Sequence, residues 1–200
     1  AAAACGVLAR AAPARDSRPN ILVLMVDQER QPMHTPPLDL PERERLRNHC
    51  VEFTNAICTY PLCSPSRATM MTGLYPHEAG IFTNVDFAAQ NPSMSTDIPN
   101  LGRVFSEQGY QTVYYGKWHL SRYAHSIGNL CRYGFDSPQV SNELVALGSD
   151  PRVAQNAANW IENNVDKRPW LMVCSLINPH DICFPVLEKL YSDKTDYGAD

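Results

Sequence analysis

Ile21-Leu22-Val23-Leu24-Met25-Val26 is a continuous apolar run, rich in branched side chains, that stops at Asp27-Gln28. A run without polar alternation suits a strand buried on both faces, as in a parallel sheet, better than the half-exposed strand of a hairpin. Outward from it the chain repeats the theme. Tyr110-Gln111-Thr112-Val113-Tyr114-Tyr115, broken by Gly116, reads as a strand, and so does Trp170-Leu171-Met172-Val173-Cys174-Ser175-Leu176-Ile177, ended by Asn178-Pro179. Val51-Glu52-Phe53-Thr54-Asn55-Ala56-Ile57 reads as a further strand by its alternation. Helices are expected from Pro41 to about Cys50, from Ser66 to Met71 with a stop at Gly73, from Ile98 to Gln108 with a stop at Gly109, and from Pro151 to Asn164. Gln31 to Leu40 is a Pro-rich loop, and Tyr75 to Thr96 is loop-like throughout.

Strands alternating with helices predict an α/β fold with a mostly parallel central sheet flanked by helices. Ligand sites in such sheets lie beyond the carboxyl ends of the strands. Asp27, Lys117, His119 and His180 each follow shortly after a predicted strand. One end of the sheet is therefore expected to gather a carboxylate, an ammonium and two imidazoles.

Composition narrows the possibilities. Two hundred residues can bury a sizeable core, as one domain or as a piece of a larger one. A net charge of −4, with Lys and Arg scattered, argues against a nucleic-acid partner. The mixed stretch Pro41-Glu42-Arg43-Glu44-Arg45 alternates in sign, as a solvated helix face does. No segment approaches the roughly 18 apolar residues of a transmembrane helix. Residues 1–18, Ala-rich with several Arg, read as a disordered leader or the remnant of an export segment. Cys5 after Ala2-Ala3-Ala4 faintly resembles a lipidation site, although no apolar region precedes it. The cysteine count of seven is odd and includes no Cys-x-x-Cys, so at least one thiol is unpaired or chemically altered.

The sharpest motif is Cys63-Ser64-Pro65-Ser66-Arg67, followed after four residues by Thr72-Gly73. A cysteine at a helix start with a cation one turn later is expected to be thiolate-prone, because dipole and charge both favour the anion. Gly116-Lys117-Trp118-His119-Leu120 offers a point charge and an imidazole on one loop, suited to the oxygens of an anion. Asn178-Pro179-His180-Asp181 presents an imidazole whose ordinary pKa suits general acid work. Asp27-Gln28 offers a carboxylate and an amide oxygen, both hard ligands for Ca2+ or Mg2+.

Cys-x-Pro-x-Arg followed by four residues and Thr-Gly resembles the signature of the sulfatase family, and the other three motifs follow that family's order. Tyr75-Pro76-His77, Ile98-Pro99-Asn100-Leu101 and Tyr133-Gly134-Phe135-Asp136 extend the likeness from about Asn20 to Pro185, and these smaller matches, His77 included, are taken as structural, as are His34, His49 and His125. The resemblance implies an alkaline-phosphatase-like sandwich, with residues 19–200 as the N-terminal part of the catalytic domain. It also implies that a maturation enzyme oxidises Cys63 to formylglycine before folding is complete, and that the substrate is a sulfated small molecule or glycan.

In the mechanism so implied, hydrated formylglycine at position 63 attacks sulfur while held by a divalent cation. Arg67 stabilises the oxyanion, Lys117 and His119 grip the sulfate, and His180 protonates the leaving alcohol. The second hydroxyl of the diol then expels sulfate. The metal is expected to be Ca2+, with Mg2+ and Mn2+ as alternatives, and Asp27, Gln28 and residue 63 as ligands. Gln28 departs from the commoner pair of acids, and branches resembling choline sulfatases and phosphonate monoester hydrolases carry the same Asp-Gln. The remaining metal ligands of the family lie beyond the span matched here, so the chain is expected to be a fragment, incomplete at its C-terminus, that binds metal poorly and turns over little. Two rival readings share the motifs: a formylglycine-dependent phosphodiesterase or phosphonate monoester hydrolase, and an inactive anion-binding pseudoenzyme. Family habit and the leader point to export to a periplasmic, extracellular or lumenal space.

Overall fold

A computed structural model describes residues 17–29, 39–85, 92–122, 130–141, 148–165 and 168–184. Most of the leader with Cys5, most of the Pro-rich loop, His34, His125 and the last sixteen residues lie outside the described residues.

Among the described residues four strands form one sheet: β1 (Ile21–Asp27), β2 (Gln111–Lys117), β3 (Asp136–Ser141) and β4 (Trp170–Pro179). Their order is β1-β4-β2-β3, and every neighbouring pair is parallel. The α/β expectation is met, and β4, the last of these strands in sequence, occupies an inner position. Ser175 of β4 stands in register with Met25 on one side and Gly116 on the other. Around the sheet run α1 (Pro41–Arg47), α2 (Cys63–Thr72), α3 (Pro76–Ala79), α4 (Leu101–Glu107) and α5 (Ser149–Asn164).

Alternation along β2 and β4 divides the core into two layers. Tyr114, Leu171 and Val173 face α2, packing with Ala68, Met71 and Phe135, while Val113, Tyr115, Met172 and Cys174 face α5, packing with Val153 and Ala157. Trp118 is fully buried at the centre of an aromatic cluster, with ring centroids 5.2 Å from Tyr114 and 5.1 Å from Tyr133. That anchor fixes Lys117, the last residue of β2, and His119 on either side of it.

Strict alternation would send Lys117 to the α5 side, with Val113 and Tyr115. Gly116 interrupts it with φ +91°, and a Cβ there would stand 2.0 Å from the Ser175 carbonyl oxygen. This left-handed residue breaks the pleat where β2 ends and turns Lys117 toward β1 and α2.

The structure departs from expectation at three segments. Strand β1, expected to be buried on both faces, stands at the edge of the sheet among the described residues, and Leu22, Leu24 and Val26 on one face of it are exposed. Residues 51–57 form no strand: Val51, Phe53 and Ile57 are 79%, 81% and 89% exposed, so the alternation has no sheet to join. Conversely, β3 was not foreseen, because Asp-Ser-Pro-Gln-Val-Ser has neither apolar alternation nor high strand propensity. Smaller differences concern helix ends. Helix α1 stops at Arg47, and α4 starts at Leu101 because the Asn100 side chain caps it by accepting from the Gly102 and Arg103 amides. Pro76 opens the one-turn α3 inside a region read as loop.

Candidate active site

The carboxyl ends of β1, β2 and β4 meet the N-terminus of α2. Cys63 is the first residue of α2, and Gly73 in the left-handed conformation closes the helix. The start of α2 is tied down by Ser64, whose hydroxyl donates to the His119 carbonyl at 2.6 Å and accepts from the Val85 amide at 3.0 Å. The Ser64 amide donates to Asn84 Oδ1 at 3.1 Å, so a residue twenty positions away caps the helix.

Asp27 is the hub. Its Oδ2 accepts from Lys117 Nζ at 2.6 Å and from Arg67 Nη2 at 3.0 Å, with all three side chains buried. Arg67 is fixed further by donating from Nη1 to the Lys117 carbonyl at 2.7 Å and to Ser175 Oγ at 2.9 Å. Cys63 Sγ lies 3.9 Å from both Asp27 carboxylate oxygens and 4.0 Å from Lys117 Nζ. His180 completes the group, because ligand atoms of Asp27, Cys63 and His180 all lie within 4.8 Å of one another. Its Nδ1 is 3.6 Å from Asp181 Oδ1.

Five predicted residues, Asp27, Cys63, Arg67, Lys117 and His180, thus converge. His119 is buried two residues after Lys117, with a left-handed backbone at φ 58°. Gln28 follows Asp27 at φ 60° and is exposed. Two non-glycine residues in this sparsely populated region, both next to the site, match the habit of functional positions to hold unusual backbone. Sequence reasoning missed Ser64, Asn84, Ser175 and Tyr114, whose hydroxyl donates to the Lys117 carbonyl at 2.7 Å. Ser175 had a signal, a lone hydroxyl inside an apolar strand, but its partner Arg67 is 108 residues away.

Electrostatics correct one expectation. Burial pushes the Cys63 thiol above its ordinary value of 9.0; Lys117 and Arg67 pull it down, Asp27 pushes it up, and burial prevails. Unmodified Cys63 is therefore a protonated thiol at neutral pH, not the thiolate that its helix position suggested. Burial also pushes the Asp27 carboxyl up, but Arg67 and Lys117 together more than offset this and hold it below its ordinary value of 3.8.

Two buried cations against one carboxylate leave a net positive charge beside Cys63. We expect Asp27→Asn to destabilise the chain by about 3 kcal/mol, since it leaves both cations without a counter-charge. Urea unfolding checks this, and added sulfate should recover part of the loss in the variant. Because the folded Asp27 pKa is depressed, its stabilisation is fully present above pH 3.8 and lost as pH falls through the folded value. Asp27→Asn should lack that acid-labile component.

The structure brings ligand atoms of Asp27, Cys63 and His180 together and leaves Gln28 exposed, so the predicted donors suit one flank of a divalent cation by their chemistry alone. Asp27 supplies a hard carboxylate, Gln28 an amide, and residue 63 would change from a soft sulfur to hard oxygens on conversion to formylglycine. These fall short of the roughly 6–8 oxygens that Ca2+ takes.

Residues 19–200 match the family model described as Sulfatase. The chain belongs to the sulfatase family. It is 27% identical over 191 residues to the ulvan-active sulfatase of Formosa agariphila, covering 82% of this chain and 36% of that protein. It is 28% identical over 197 residues to the Delta 4,5-hexuronate-2-O-sulfatase of Bacteroides thetaiotaomicron, covering 90% of this chain and 37% of that protein. The chain therefore spans little more than a third of the length of these sulfatases. The crystal structure of yidJ from Bacteroides fragilis superposes with a TM-score of 0.68 at 26% identity, over 84% of this chain and 46% of that one. The alkaline-phosphatase-like architecture of sulfatases is thus the fold seen here, in part.

Proposed function

We propose that this chain carries the nucleophile and the sulfate-gripping half of a sulfuric ester hydrolase, whose nucleophile is a formylglycine made from Cys63. The observation that carries the reading is the buried pair of cations, Arg67 and Lys117, held by Asp27 around the residue that would react. Arg67 is locked by three bonds and acts as a fixed positive charge, in place before the substrate arrives. Lys117 Nζ has three donors, of which Asp27 takes one, leaving others for sulfate oxygens. His119 stands on the same loop as a second contact for the sulfate. His180 gives its proton to the bridging oxygen as the sulfur–oxygen bond breaks, so the alcohol leaves neutral. A divalent cation, Ca2+ or alternatively Mg2+ or Mn2+, would be held by Asp27, Gln28 and residue 63, and when bound supplies Lewis-acid polarisation.

The raised thiol pKa supports conversion of Cys63 over direct use of the sulfur, because a buried neutral thiol is a poor nucleophile at pH 7. A maturation enzyme is the partner this reading requires. The names of the two relatives, one ulvan-active and the other acting on a hexuronate, make a sulfated glycan the favoured substrate class. Export belongs to the same reading, and among the described residues no helix is long and apolar enough to cross a membrane. Peptide mass spectrometry across residue 63, after co-expression with a formylglycine-generating enzyme, should show oxygen in place of sulfur and two hydrogens fewer. An intact thiol would sink the reading in favour of an anion-binding pseudoenzyme. Faster cleavage of a phosphate diester than of a sulfate ester of the same alcohol would favour phosphoryl transfer instead.

A further inference from the structure

We propose that Asp150, at the start of α5, is a positioning residue that aims His180 at the leaving group; this rests on the acid role given to His180 above. Strand β4 is laddered to β2 and β1 as far as Ser175, and the register to β1 then shifts before Asp27 meets Pro179. Amides just beyond such a break need acceptors from elsewhere. Asp150 supplies them: Oδ1 accepts from the Ile177 amide and Oδ2 from the Asn178 amide, both at 2.8 Å. Two bonds from one planar carboxylate to consecutive amides fix the direction in which the backbone leaves the strand. His180 follows two residues later, with its ligand atom within 4.8 Å of those of Asp27 and Cys63.

The carboxylate itself stands on a rigid base. It lies in the first turn of the sixteen-residue α5, where the helix dipole favours an anion. Val153 and Ala157 of that helix pack into the α5-side core beneath β2 and β4. Asparagine at position 150 would keep the shape but offer one acceptor and turn an NH2 group against the second amide. The end of β4 could then swing, and the imidazole with it.

The test compares His180→Ala and Asp150→Asn with the parent in the matured enzyme, using 4-nitrophenyl sulfate and phenyl sulfate. A nitrophenolate leaves without a proton, whereas the more basic phenolate needs one. Both variants should lose kcat on phenyl sulfate about tenfold more than on 4-nitrophenyl sulfate, with KM changed less. Equal losses on both esters in Asp150→Asn, with a selective loss in His180→Ala, would overturn the positioning role alone. Equal losses in His180→Ala would overturn the acid role and this proposal with it. Asp150→Ser, which keeps one acceptor, is the second variant; if neither folds, Asp150 is a cap for β4 and the proposal is wrong.

Discussion

A Cys63→Ser enzyme is expected to release sulfate about 10⁴-fold more slowly than the matured parent, or worse, while still accepting one sulfuryl group per active site. The two halves of the prediction come from different parts of the chemistry. Arg67 and Lys117 are held by Asp27, Ser175 and the Lys117 carbonyl, none of which the substitution replaces, so on the proposed reading sulfate is still gripped. On that reading the serine hydroxyl attacks sulfur and His180 protonates the departing alcohol, leaving a serine O-sulfate. That ester has no second hydroxyl on the same carbon to expel sulfate, as the hydrated aldehyde has. Release then waits on water. A stoichiometric burst of alcohol followed by a stall, with a sulfated peptide in the mass spectrum, is the expected record. Steady turnover by Cys63→Ser would show that the diol is not needed.

Gly116→Ala is expected to cost about 4 kcal/mol or more, a large part of the 5–15 kcal/mol that holds a typical domain together. A methyl group there would meet the Ser175 carbonyl oxygen at 2.0 Å and its carbon at 2.9 Å, and both are backbone. Neither can move without parting β2 from β4 at the register pair that joins them. The positive φ adds its own penalty for any side chain. Urea unfolding measures the loss. If the variant does fold, the second consequence concerns the site: restoring the pleat would swing Lys117 away from Asp27, so sulfate protection against unfolding should fall as well. A variant as stable as the parent would show that β2 and β4 are not packed this closely.

Much of this arrangement was readable in the chain because parallel strands and helix stops leave strong local marks. Strands β1, β2 and β4 are apolar runs, and α5 was bounded within two residues. Residues at strand ends were brought together as expected, since topology alone carries Asp27, Lys117 and His180 to one edge. What stayed hidden depends on register between distant segments. Strand β3 exists because β2 offers it an open side, not because its residues prefer extended backbone. Ser64, Asn84 and Asp150 look like ordinary loop and cap residues until their partners are known. The protonation of Cys63 was misjudged for the same reason. Local sequence shows the helix start and the arginine, but burial, which prevails, is a property of the assembled fold.

The inner place of β4 has a consequence for timing. The cysteine motif leaves the ribosome long before the strand that completes its surroundings, for Arg67 and its partner Ser175 are 108 residues apart. At translation rates of about 5–20 residues per second, that separation amounts to roughly 5–20 s in which Cys63 cannot yet be enclosed. On the proposed reading the maturation enzyme must reach its substrate within this interval. Slowing the chain's synthesis between residues 67 and 175 lengthens the interval, and faster insertion of β4 shortens it. On the same reading, codon usage in that stretch becomes a control on how much Cys63 is converted.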